Sequence, residues 1–235
     1  MNIIITGASS GIGYATVLAL AADPRNYILA VARSEDKLQQ LAQEAQQLHH
    51  NNNVVTIALD LTQKDFLPLL KQVEKLGNEI DVLVNNAGGL VNKPFGELQD
   101  EDWIEMFQTN VLSAVHATKL LLPYMGQHRR GHVVNIGSMG GYQGSSKFAG
   151  LAAYSASKAA LGNLTECLAA EYPDLNVAFN CLALGAVQTE MLEKAFPNYQ
   201  APVSCQEMAQ YIAFFCVHGQ QFQNGKIVPL SITTP

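Results

Sequence analysis

A short β-branched run that stops at a glycine-rich turn constrains this chain more than any other feature. Asn2-Ile-Ile-Ile-Thr6 reads as a buried parallel strand, a continuous apolar run ended abruptly by glycine. Gly7-Ala-Ser-Ser-Gly11-Ile-Gly13 follows, and Tyr14 to Ala22 is then an apolar helix that ends before Asp23-Pro24. Strand, glycine turn and helix in that order bring the unpaired N–H groups of a helix N-terminus to one point, where a pyrophosphate can be held. Glycine lets the backbone approach it closely. Gly7, Ser9, Ser10, Gly11, Ile12 and Gly13 are thus candidate cofactor-binding residues. The spacing is G-x-x-x-G-x-G rather than G-x-G-x-x-G, so a tight turn with an ordinary helix cap also accounts for the segment.

The alternation continues. Tyr27 to Ala32 is a second strand, and Ser34 caps a helix that runs to about Leu48, with Glu35 and Asp36 in its first turn. Val54 to Leu59 is a strand closing on Asp60, Lys64 to Lys75 an amphipathic helix, and Ile80 to Val84 a strand entering Asn85-Asn86-Ala87-Gly88. Asp100 to about Met125 is one long bent helix or two segments, with Asn110 inside it. Gly131 to Ile136, Asn176 to Leu182 and Lys226 to Leu230 complete seven strands, with short helices at Val187 to Ala195 and Gln206 to Val217. Short βα and αβ connections mean an α/β, doubly wound parallel seven-stranded sheet with right-handed crossovers and helices on both faces. A chain of 235 residues suits one such domain, and a 48% hydrophobic, 14% charged composition suits its core.

Composition also excludes. A net charge of −6 argues against nucleic acid or an anionic membrane as partner. The chain enters its first apolar run without a basic n-region, and no stretch is long enough to span a bilayer, which points to the cytoplasm. Cys167, Cys181, Cys205 and Cys216 are scattered and read as buried thiols. His49-His50 lacks companions at ligand spacing, so no metal site is expected.

Tyr154-Ser-Ala-Ser-Lys158 sits on a helix that runs to about Tyr172. Residues four apart share a helix face, with β-carbons about 5–6 Å apart, so an ammonium can sit beneath a phenol. A fixed cation favours the phenolate and draws the phenol's pKa down from about 10. Ser138 falls at the carboxyl end of the fifth strand, the edge where open α/β sheets bind ligands. A serine hydrolase fails there, because Ile136 stands where a nucleophile elbow needs glycine. Asn110 is a mediocre helix former in a helix interior, and a buried amide needs partners.

Taken together these motifs resemble the short-chain dehydrogenase/reductase family, a Rossmann fold, over essentially the whole chain. Thr6-Gly7-x-x-x-Gly11-x-Gly13 is similar to its cofactor fingerprint, Asp60-Leu61 to its adenine-ring contact, and Asn85-Asn86-Ala87-Gly88 to the stretch that steadies its central sheet. Asn110, Ser138, Tyr154 and Lys158 match its catalytic tetrad one by one. The resemblance implies an oxidoreductase acting on CH–OH groups, a carbonyl reductase or alcohol dehydrogenase. Tyr154 would exchange a proton with the substrate oxygen, Ser138 would anchor that oxygen, and Lys158 would lower the phenol's pKa and bind the nicotinamide ribose. Asn110 would hold, through its backbone, a water linking Lys158 to solvent. The family's contacts map onto Asn86, Ala87, Gly88, Gly185, Val187 and Thr189, and its usual assembly implies a homodimer or homotetramer.

The second strand ends in Ala32-Arg33, with no carboxylate to accept from a ribose 2′-OH. A guanidinium there suits a 2′-phosphate, so NADP(H) is expected over NAD(H), with Ser10 and Lys37 as secondary contacts. Two departures stand out. Leu184-Gly185 replaces the family's proline-glycine, and the segment from Met139 to Leu151 is a few residues longer than usual. That loop would overhang the substrate, where Tyr142 and Phe148 offer an apolar wall and Lys147 a charge for an anion, against the commoner outcome of solvated loop side chains. The region from about 185 to 205 is short for a substrate-binding region, so the pocket for a small carbonyl or alcohol is compact. Two other readings keep the fold: a cofactor-binding redox sensor or scaffold, and an isomerase, epimerase or dehydratase using bound NADP.

Overall fold

Ile3, Ile4 and Ile5 are all fully buried, which a strand achieves only when both faces of its sheet are covered. The computed structural model describes residues 1–63 and 65–232, and within them the chain runs β1 (Asn2–Thr6), α1 (Gly11–Ala21), β2 (Tyr27–Ala32), α2 (Glu35–His49), β3 (Val54–Ala58), α3 (Leu67–Lys75) and β4 (Val82–Asn85). It continues through α4 (Asp100–Phe107), α5 (Ser113–Leu121), β5 (Gly131–Ser138), α6 (Ala152–Glu171), β6 (Val177–Leu184), β7 (Val187–Gln188), α7 (Glu190–Ala195), β8 (Val203–Ser204), α8 (Cys205–His218) and β9 (Lys226–Leu230). Seven strands pair in parallel in the order β3-β2-β1-β4-β5-β6-β9. The order reverses between β1 and β4, a switch point that opens a crevice at the carboxyl edge.

Alternation along β1 sends Ile3 and Ile5 to one side and Ile4 to the other. The first pair packs with Val17 and Leu20 of α1, Leu41 of α2, and Ile212 and Phe215 of α8. Ile4 packs with Leu69 and Val73 of α3, Leu121 of α5 and Phe179 of β6. The single α/β domain with helices on both faces is therefore as expected. Pro229 is tolerated because β9 is an edge strand.

Several elements differ from expectation. α3 begins at Leu67, whose N–H donates to Asp65 Oδ1 at 3.2 Å; Lys64 lies outside the described residues. β4 begins at Val82, with Ile80 making only an isolated bridge to Met125, while β5 and β6 extend to Ser138 and Leu184. Val187 is not helical: Val187 and Gln188 pair in parallel with Val203 and Ser204, and α7 starts only after Thr189, whose Oγ1 accepts from the Leu192 N–H at 3.1 Å. β-Branched residues with a partner strand at hand favour the extended form. Ser34 occupies the N-cap position of α2 but makes no side-chain capping bond. Cys181 and Cys216 are buried, Cys205 is intermediate and Cys167 is exposed.

Candidate active site

Every strand of the main sheet points the same way, so the ends of β1 to β6 meet along one edge. A cleft of about 600 Å³ lies there. Each site residue singled out from the sequence lines it except Gly13 and Asn110, which support it from behind. Lys37 and Phe148 also line it, whereas Tyr142 and Lys147 do not.

The glycine turn is shaped by contact. Gly7 has φ +65°, and a Cβ there would stand 2.7 Å from the Ala87 Cα. At Gly13 a Cβ would lie 2.3 Å from Asn86 Nδ2 and 2.4 Å from the Gly7 carbonyl oxygen. Asn86 occupies that space, donating to the carbonyls of Thr6 at 3.0 Å and Gly7 at 3.1 Å. Thr6 Oγ1 accepts from the N–H groups of Asn86 and Ala87, both at 3.0 Å. Deeper in the sheet, Asn85 donates to Asn135 at 2.8 Å and to Thr118 at 3.0 Å, and Asn135 donates to Thr165 at 2.8 Å. These bonds show how the Asn85 to Gly88 stretch steadies the sheet. The result is a backbone cradle beside α1, closed behind by side chains, which fits the pyrophosphate of a dinucleotide.

Farther along the edge, Arg33 is exposed at the end of β2, and among the described residues no ion pair holds it. Its field helps lower the Asp60 pKa, an effect that bonds from Thr62 share and that burial opposes more strongly than any single one of them. Lys37 pairs loosely with Glu190 at 3.8 Å. An exposed guanidinium beside a second cation fits a 2′-phosphate.

At the other end, the Tyr154 phenol and Ser138 line the cleft together, and the Ser138 hydroxyl, which accepts from the Gly140 N–H at 3.1 Å, favours the phenolate. Burial of the phenol raises its pKa above the ordinary value, and Ser138 offsets only part of this. The ammonium of Lys158 is anchored to β5. Its Nζ donates to the Ile136 carbonyl at 2.8 Å, and burial brings its pKa down to about 8, with the neighbouring Cys181 thiol opposing the shift.

Asn110 is 1% exposed and lies in a π-helical turn, Gln108–Leu112, between α4 and α5. Such turns bulge a helix, often at functional sites. Its Oδ1 accepts from the Gly89 N–H at 2.7 Å, and its Nδ2 donates to the Gly89 carbonyl at 3.1 Å and to Ser157 Oγ at 2.9 Å. Ser157 in turn donates to the Tyr154 carbonyl at 2.7 Å, which fixes α6 against the turn after β4. A Cβ on Gly88 would reach within 3.0 Å of Asn110 Oδ1 and 3.3 Å of Lys158 Nζ, so the three groups meet at one point.

Gly185 is required by crowding and not by a left-handed conformation. A Cβ there would lie 2.8 Å from Ser231 Oγ, and its N–H donates to the Leu230 carbonyl at 2.7 Å. Sequence reasoning missed Ser157, though it lies between Tyr154 and Lys158 on the same helix. It also missed Asn92, whose partners, Ala195 at 2.8 Å and the Gly150 region, come from distant segments.

The fold and cleft define a Rossmann-fold oxidoreductase. The family model of the short chain dehydrogenases matches residues 1–200. A 3-oxoacyl-[acyl-carrier-protein] reductase of Thermotoga maritima is 32% identical over 96% of this chain and 94% of its own. L-sorbose reductase of Gluconobacter frateurii, solved with NADPH and L-sorbose, superposes with a TM-score of 0.87 at 25% identity over 99% of this chain and 95% of its own. A putative NAD(P)-dependent gluconate 5-dehydrogenase of Beutenbergia cavernae with bound NADP gives 0.82 at 27% identity over 97% and 94%. This chain belongs to the short chain dehydrogenase family.

Proposed function

We propose that the chain is an NADP(H)-dependent oxidoreductase acting on a carbonyl or secondary alcohol of a small molecule, with Tyr154 as general acid and base. The meeting of Ser138, Tyr154 and Lys158 in the same cleft as the glycine cradle carries this reading. The Gly7–Gly13 turn, Asn86 to Gly88 and the 185–189 segment would hold the dinucleotide, whose nicotinamide would supply or accept the hydride. Ser138 holds the substrate oxygen within reach of the phenol and stabilises charge developing there. Tyr154 keeps its proton at neutral pH, because its raised pKa leaves the phenol neutral until an oxyanion draws the proton off. Lys158, one turn along α6, supplies positive charge that favours the phenolate left behind. The π turn supports reading the Asn110 backbone as the holder of a water that reconnects Lys158 to solvent. Asp60 and Leu61 border the adenine end.

Preference for NADP(H) rests on Arg33, and the NADPH and NADP in the two solved relatives support it. The compact region about 185–205, built on β7, α7 and β8, is read as the substrate lobe. Exposed Ile104, Phe107 and Leu112 on the α4–α5 side support a homodimer or homotetramer, and four free cysteines fit a cytoplasmic, reducing setting. The test is label transfer: with NADPH deuterated at nicotinamide C4, deuterium should appear on the carbinol carbon of the product. Product lacking the label, or formed without net cofactor oxidation, would favour an isomerase or dehydratase. NADPH turnover should exceed NADH turnover, and Arg33→Ala should lower it about ten- to a hundredfold, the loss of one charged hydrogen bond; an NADH preference indifferent to that change would refute the assignment.

A further inference from the structure

We infer that the substrate of this cleft is an uncharged ketone or aldehyde with an apolar alkyl or aryl body, gripped between the segment before α6 and the α7 lobe; the inference rests on the oxidoreductase reading above. Strand order divides the cleft. Its charged lining residues at the β2–β3 side are Arg33, Lys37 and Asp60, with Glu190 tied to Lys37 at 3.8 Å. Around β5 and α6, Lys158 is the one cation among the described lining residues, and its ammonium is held by the Ile136 carbonyl at 2.8 Å. Lys147, the cation that the sequence offers for an anionic substrate, turns back on its own loop instead. Its Nζ donates to the Tyr142 carbonyl at 2.6 Å and to Ser145 Oγ at 2.8 Å. A carboxylate or phosphate entering beside Tyr154 would lose water and meet only the Lys158 ammonium, already hydrogen-bonded to the Ile136 carbonyl.

The walls there are apolar: Leu90, Met139, Phe148, Leu151, Phe196 and Tyr199. Phe148 is 52% and Tyr199 48% exposed, so the cleft presents apolar surface to water that an apolar ligand would cover. Of the hydroxyls that line the cleft, Thr189 Oγ1 already caps α7 and Ser113 Oγ donates to the Thr109 carbonyl at 2.5 Å. A polyol would carry several hydroxyls against walls that are mostly apolar. The two walls are also joined. Asn92 donates to the Ala195 carbonyl at 2.8 Å while the next residue, Lys93, donates its N–H to the Gly150 carbonyl at 3.0 Å. That clasp sets the slot between Phe148 and Phe196 before a ligand arrives.

The test compares kcat/KM with saturating NADPH for acetophenone, 2-octanone, phenylglyoxylate and L-sorbose. Acetophenone and phenylglyoxylate differ by a methyl against a carboxylate, which isolates charge. At least one of the two apolar ketones should exceed both polar probes by about tenfold or more, and Phe148→Ala should cut its kcat/KM about tenfold, mainly through KM. Phe148 is an exposed loop residue, so that variant should fold as the parent does. Equal or faster turnover of phenylglyoxylate or L-sorbose would overturn the apolar assignment and leave the oxidoreductase reading standing. NADPH binding with no oxidation on any probe would overturn the oxidoreductase reading and this inference with it.

Discussion

Tyr154 and Lys158 reach their chemistry by different balances of burial and charge. Burial raises the phenol's pKa, so it stays protonated through neutral pH, while Lys158 discharges at about 8. Carbonyl reduction should therefore fall as pH rises through about 8, where the positive charge that favours the phenolate is lost. A kcat profile from pH 6 to 10 checks this, and a rate that climbs through that range would contradict it. His132 gives a second pH effect, on stability. It is fully buried, accepts from Asn180 at 3.0 Å and contacts the Cys216 carbonyl at 3.2 Å, and burial brings its pKa down from 6.5 to about 4. The unfolded chain thus binds the proton more readily, so this stability is fully present above pH 6.5 and is lost as pH falls toward 4. The loss should amount to about 3 kcal/mol, read as a drop in the denaturation midpoint between pH 7 and pH 4 that His132→Leu makes shallower. That Ser138, Tyr154 and Lys158 would meet in one cleft was legible in the sequence, because each has a distinctive type at a fixed place on a strand end or helix. The hydrogen-bond partner of the Lys158 ammonium was not, because it is a carbonyl of β5, far away in sequence.

The elements that frame the site are held by close contacts that substitution would break. Gly13→Ala would force a methyl onto Asn86 Nδ2 and the Gly7 carbonyl, so NADPH binding should weaken by at least tenfold in a titration, or the protein should fail to fold. The clasp between the loop after β4, the loop before α6 and the end of α7 should behave otherwise. Asn92→Ala should raise KM for the ketone several-fold, keep kcat within about twofold, and speed proteolytic nicking near α7. Unchanged KM and nicking would show that the lobe needs no clasp. Strand and helix types followed from hydrophobic period, but three details did not. β7 is extended because β8 pairs with it, the long α4–α5 stretch contains a π turn, and Gly150 faces Asn92 across segments that no local pattern connects.

For the whole molecule, alternating strands and helices were enough to read a doubly wound sheet, since short connections leave few alternatives. Strand order then places a glycine cradle, an exposed arginine, and Ser138 with Tyr154 along one edge, within one cleft. Exposed apolar side chains on α4 and the π turn predict a dimer or larger in light scattering at micromolar concentration; a monomer throughout would remove the assembly from the account. The central claim is that Tyr154 moves the proton that accompanies hydride transfer. Steady-state kinetics of Tyr154→Phe against the parent, with saturating NADPH and the best ketone, tests it most directly. A fall in kcat of about 10²- to 10⁴-fold with NADPH affinity unchanged is the predicted result. Parental kcat in the variant, with NADPH still bound, would contradict it.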